Sequence, residues 1–132
     1  MLRILEQKNF DAYQQLIQNL NLPLELQIHL TEALDDENQV KGYILYAYQP
    51  ESVLIYALDD GQDWNYCDGL IRSVLFKAQL RGLEKAVFQM PDSAVKERLV
   101  KLGFVKNNQN ILENISEVME SCKKCKENPS NT

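Results

Sequence analysis

The chain has 132 residues, is 45% hydrophobic and 25% charged, and carries a formal net charge of −5. That size fits one domain with a modest core needing neither disulfides nor metals, and the acidic balance speaks against duplex nucleic acid, since the only basic cluster is Lys123, Lys124 and Lys126. No apolar run approaches the ~20 residues of a bilayer span, Met1 to Leu5 lacks a signal-peptide pattern, and three cysteines do not suggest a secreted disulfide framework, so the expected setting is cytoplasmic, with no membrane partner.

Residues 1–6 alternate enough for a short strand. Asn9 or Asp11 can cap a helix whose face carries Tyr13, Leu16, Ile17 and Leu20 at offsets of three and four. Pro23 then suits the first turn of a second helix bearing Leu24, Ile28, Ala33 and Leu34, with His29 on it. After the acidic turn 35–38, Val40–Tyr48 and Ser52–Leu58 read as a hairpin of two central strands, rich in Tyr, Ile, Val and Leu.

The loop 59–65 leads into a helix expected over Tyr66–Arg81 and ended by Gly82. Leu70, Val74, Leu75, Ala78 and Phe76 turn inward, with Arg72, Lys77 and Arg81 outward. Lys85–Gln89 is a short strand, and Asp92 is the cap of a further helix with Val95, Leu99 and Leu102 on its apolar face and Gly103 as its left-handed end. A strand is expected from Phe104, with Ile111–Ile115 as its partner across an Asn107-Asn108 turn. A last amphipathic helix spans Ser116–Lys126. The domain is expected over 1–127, with a polar tail at 128–132.

Ser52–Phe104 carries the chemistry. A strand entering a helix N-terminus leaves the first backbone N–H groups unpartnered at the positive end of the helix dipole, which suits a phosphate. The aspartates at the strand end, Asp59 and Asp60, offer either a general base or an ordinary solvated acidic turn. Tyr43, Tyr46, Tyr48 and Tyr56 concentrate on the central strands. Alternation puts Tyr46 and Tyr48 on one face and Tyr43 on the other, either as sheet packing or as a source of a proton donor. Trp64 and Tyr66 flank the loop, as base-stacking groups or as anchors. Cys67 sits where a helix N-terminus lowers a thiol pKa, or is simply a small residue that fits the turn. Cys122 and Cys125, spaced C-x-x-C without a second ligand pair, read either as core or interface burial on the last helix, a place to look for a homodimer contact, or as a site of reversible oxidation or of metal binding with a second chain.

In this order the elements resemble the GNAT superfamily of N-acetyltransferases, over roughly Val40 to Val105. Gln62 falls on the Arg/Gln of the family's Arg/Gln-x-x-Gly-x-Gly/Ala loop, with Asn65 and Cys67 on its two small positions. Gly69-Leu70-Ile71-Arg72-Ser73-Val74-Leu75 fits the following helix, Arg81-Gly82 its close, and Leu102-Gly103-Phe104 the end of the next. Leu99 stands where many members have a tyrosine that protonates the departing thiolate. The resemblance implies an α/β (α+β) fold with a mixed, mostly antiparallel sheet flanked by helices. It also implies acetyl-coenzyme A as cosubstrate and a small-molecule or peptide amine as acceptor. The diphosphate would lie on Gln62, Asp63, Trp64, Asn65, Tyr66, Cys67, Asp68 and Gly69, the pantetheine along Ala57 and Leu58, and Asp60 would be the base. With Asn65, Cys67 and Leu99 at those positions, the alternative is a catalytically inactive module that keeps the fold and acts through binding.

Overall fold

A computed structural model describes residues 3–23, 25–90 and 93–120. Its strands are β1 (Arg3–Gln7), β2 (His29–Leu34), β3 (Val40–Tyr48), β4 (Val53–Asp59), β5 (Ala86–Phe88) and β6 (Ile111–Leu112). They form one sheet in the order β1-β2-β3-β4-β5-β6, in which only the β4–β5 pair is parallel. The mixed, mostly antiparallel α+β class expected from the sequence is therefore the observed one. The helices are α1 (Gln14–Asn19), preceded by a 3-10 turn at Asp11–Tyr13, α2 (Trp64–Leu80) and α3 (Ser93–Lys101).

The second helix expected after Pro23 is instead β2. His29–Leu34 pairs with β1 on one side and β3 on the other, so its backbone is satisfied by two neighbours at once. Its side chains at Leu30, Thr31, Ala33 and Leu34 are buried. The offsets of Leu24, Ile28 and Ala33 imitated a helical face, and tertiary pairing overrode that local signal. The strand expected from Phe104 also does not form. Residues 107–108 make the expected turn, with Asn108 at φ 68, but Ile111–Leu112 pairs with β5.

Two cores cover the sheet. The larger lies under α2 and α3 and includes Ile44, Tyr46, Ile55, Leu70, Val74, Phe88, Leu99 and Phe104. The smaller sits under α1, where Leu30, Leu45 and Ala57 meet Tyr13, Leu16, Ile17 and Leu20. Tyr46 and Tyr43 thus divide between the two faces as alternation requires. Phe76, expected inward, is 54% exposed on the outer face of α2. Arg72, Lys77 and Arg81 lie over the surface in pairs: Arg72 with Asp68, Lys77 with Glu6, and Arg81 on the Tyr48 ring. Residues 115–120 are helical, and Ser116 is held by Glu84. Asp92, Cys122, Cys125 and the lysines near them lie outside the described residues.

Candidate functional site

The sheet forks at the C-terminal end of β4. β4 and β5 pair from Val53↔Ala86 to Ile55↔Phe88, and the Gln89 N–H to the Ile55 carbonyl, 2.7 Å, follows this pairing. β4 continues to Asp59 against β3 alone. Its register against β3 shifts at this point: Leu45 faces Ala57 and Tyr46 faces Ile55, so Tyr56 is an extra, bulged residue. A bulge bends its strand and increases local twist. Ala57 and Leu58 therefore run past the fork with β3 on one side and no β5 ladder on the other among the described residues.

The chain turns from β4 into α2 through two left-handed residues, Gly61 (φ 60) and Gln62 (φ 59). Asn65 is not left-handed; it lies inside α2, which begins two residues earlier than expected, at Trp64. Gly61 has a second constraint, because a Cβ there would stand 2.7 Å from the Lys41 carbonyl oxygen. Gly42 is equally pressed, its Cβ position lying 2.6 Å from the Asp59 carbonyl oxygen. β3 and the end of β4 thus approach closely, which fixes the start of the loop.

Three aspartates then satisfy the loop's own amides. The Asp59 carboxylate accepts from Gly61 N–H at 2.9 Å, and that of Asp60 from Gln62 N–H at 2.9 Å. Asp63 is the N-cap of α2, accepting from Asn65 N–H at 2.8 Å and Tyr66 N–H at 3.1 Å. Of these, the Gln62, Asn65 and Tyr66 amides lie in the stretch that the resemblance assigns to a diphosphate. Asp68 is turned to Arg72, 2.9 Å away, and Trp64 is largely exposed while Tyr66 packs on the larger core.

Asp60 is not the solvated turn residue that its neighbourhood in sequence suggests. It is 2% exposed, and both carboxylate oxygens are engaged by Arg98 of α3, through Nε to Oδ2 and through Nη2 to Oδ1 at 2.7 Å. Cys67 is buried near the start of α2. Burial first, then the Asp60 charge, pushes that thiol up to about 12, so the helix N-terminus does not activate it. The sequence reading missed Arg98, although a signal was present. Val95, Arg98, Leu99 and Leu102 share the i, i+3, i+4, i+7 face of α3, and a cation on a buried face demands a counter-charge.

Asp59 points its chemistry to the other face of the sheet. It lies opposite Tyr43 in the β3–β4 register, and Tyr43 packs edge-on against Tyr13, ring centroids 4.9 Å apart. The Tyr13 hydroxyl donates to Glu32 of β2. Burial raises both phenols, with Glu32 adding at Tyr13 and Asp59 at Tyr43, so they keep their protons at neutral pH. Leu99, at the tyrosine position of the resemblance, is buried in the larger core. The only histidine, His29, stacks on Tyr46 on the α2 side of the sheet.

No protein-family model matches the chain, and no curated protein does. Solved structures do. The ribosomal-protein-S18-alanine N-acetyltransferase from Escherichia coli superposes with a TM-score of 0.57 at 12% identity, over 80% of this chain and 78% of that one. A KacTA–DNA complex superposes with a TM-score of 0.61 at 14% identity, over 94% and 99%. A protein from Exiguobacterium sp. 255-15, assigned as an acetyltransferase, gives 0.60 at 15% identity, over 92% and 98%. The fold is GNAT-like.

Proposed function

We propose that the chain is an acyltransferase that uses acyl-coenzyme A, most simply acetyl-coenzyme A, to acylate an amine. The observation that carries this reading is the fork. Past Ile55 and Phe88, the bulged end of β4 offers the backbone of Ala57 and Leu58 to an extended ligand, a strand-like addition. The pantetheine arm has the amides to pair there. The diphosphate end fits less directly, because the loop amides from Gly61 to Tyr66 are largely bonded to the chain's own carboxylates.

The cofactor supplies an acyl thioester; the chain's residues orient the acceptor and move protons. Asp59 is the base, through water, from the face that carries Tyr13, Glu32 and Tyr43. Asp60 is not the base, since both its oxygens are held. With the thioester bound, Tyr56 would donate its phenolic proton to the departing thiolate sulfur and regain one from solvent, while Asp59 would hold the proton lost by the amine. Burial raises that phenol, which is therefore protonated at neutral pH. Proximity supplies most of the acceleration. One neighbour was solved with DNA; the net charge of −5 gives no footprint for a polyanion here, and DNA is not part of the proposal.

The occupied loop amides and Leu99 favour a second reading, a non-catalytic module with the same fold. Calorimetric titration with acetyl-coenzyme A separates the two. Binding, followed by thiol release with a panel of amines, supports the enzyme; no heat and no thermal shift at millimolar ligand leaves the module. For the enzyme, Tyr56→Phe should lower kcat about 100-fold with KM little changed.

A further inference from the structure

The Asp60–Arg98 pair lies between β4's end and α3, the two sides of the fork. Its geometry is that of a bound anion. Asp60 Oδ1 takes a loop N–H from Gln62 and a guanidinium N–H from Arg98, and Oδ2 takes the second guanidinium N–H. A phosphate group offers the same acceptors to the same donors, and a guanidinium binds carboxylate and phosphate with one fork. The pair is also buried, with the Arg98 side chain 14% and that of Asp60 2% exposed. A buried cation on the apolar face of α3 is costly unless something anionic always faces it. Resting on the acyltransferase reading, one carboxylate of the chain then stands where the ligand's charge would go.

We propose that the Asp60–Arg98 ion pair is an autoinhibitory latch across the fork, and that Arg98 exchanges Asp60 for a phosphate group of coenzyme A when the cofactor enters. Asp60 is thus an internal competitor and Arg98 a cofactor-binding residue supplied by α3. The exchange forms and breaks no covalent bond. It accounts for a loop whose amides are closed in the free protein: the cofactor's charge is met first by a side chain that can swap partners.

The test is calorimetric titration of coenzyme A, and of pantetheine, which lacks the phosphates, into the wild type, Asp60→Asn and the double variant Asp60→Asn/Arg98→Gln. Folding is checked beforehand by circular dichroism. Asp60→Asn should bind coenzyme A at least tenfold more tightly than the wild type, and pantetheine within about twofold of it. The double variant should lose that gain and bind coenzyme A at least fivefold more weakly than the wild type. If Asp60→Asn does not fold, the double variant, which removes both charges of the pair, still decides. Coenzyme A affinity in it equal to or above the wild type would overturn the exchange. So would unchanged affinity in a folded Asp60→Asn. Coenzyme A failing to bind any of the folded proteins would instead remove the acyltransferase reading, and the latch with it.

Discussion

Asp63 shows how one side chain decides between two uses of the same backbone. Its carboxylate caps α2 by taking the Asn65 and Tyr66 N–H groups. Replacing it by Ala should cost about 1 kcal/mol of stability, read as a lower midpoint in urea. If those amides serve a diphosphate, the same substitution should tighten coenzyme A; Asp63→Ser, which keeps a cap, should do neither. A destabilised Asp63→Ala with unchanged affinity would place the diphosphate elsewhere. Cys67 gives a second test at this scale. Its thiol is raised in the folded state, to about 12 from an ordinary value of 9.0. The contribution is therefore fully present below pH 9 and is lost as pH rises through the folded value. Native protein at pH 8 should resist alkylation at Cys67 except through unfolding, whereas rapid labelling would show an open, activated thiol. Cys67 and Asp60 show the limit of reading residues from sequence. Both lie at the strand–helix junction, but Asp60 is paired by Arg98, 38 positions away, and Cys67 is governed by burial and by that same Asp60, neither of which a local pattern shows.

Helix ends were legible because they depend on local backbone chemistry. Gly82 (φ 79) and Gly103 (φ 88) both terminate helices in the left-handed region. At α3 the Phe104 N–H returns to the Leu99 carbonyl at 2.9 Å and the Gly103 N–H to that of Val100 at 3.1 Å, a Schellman close. Space is open around the Gly103 Cβ position. Gly103→Ala should therefore cost about 1 kcal/mol through φ alone, measured by denaturant midpoint; no change would mean that α3 can end in another way. Gly42→Ala tests a different constraint. Its Cβ would meet backbone at Asp59, not a movable side chain, so the loss should be about 1–3 kcal/mol. Strand β2 was not legible for the opposite reason. Its identity depends on two partner strands, one of which, β1, is more than twenty residues away in the chain.

The two faces of the sheet are built unequally, and that inequality bears on the local stability of the face beside Asp59. Beneath α2 and α3 the core is continuous and reaches from Ala33 to Ile115. Beneath α1, among the described residues, only Leu30, Leu45 and Ala57 are buried, and the six-residue α1 has no buried residue of its own. A helix this short is not stable without packing. The region should thus open locally at a fraction of the global unfolding free energy. Tyr13, just before α1, carries the hydrogen bond to Glu32 and the edge contact with Tyr43. Local opening would uncover the side of β3 and β4 on which Asp59 lies, without disturbing α2 or the fork. Native-state hydrogen exchange at increasing denaturant checks this. Amides of residues 15–20 should exchange by a low-energy route independent of denaturant, while those of α2 from Leu70 to Ala78 exchange only by global unfolding. Glu32→Gln should speed the first set and leave the second unchanged, because it weakens a contact confined to the thin face. Identical protection of both helices would mean that the two cores open as one.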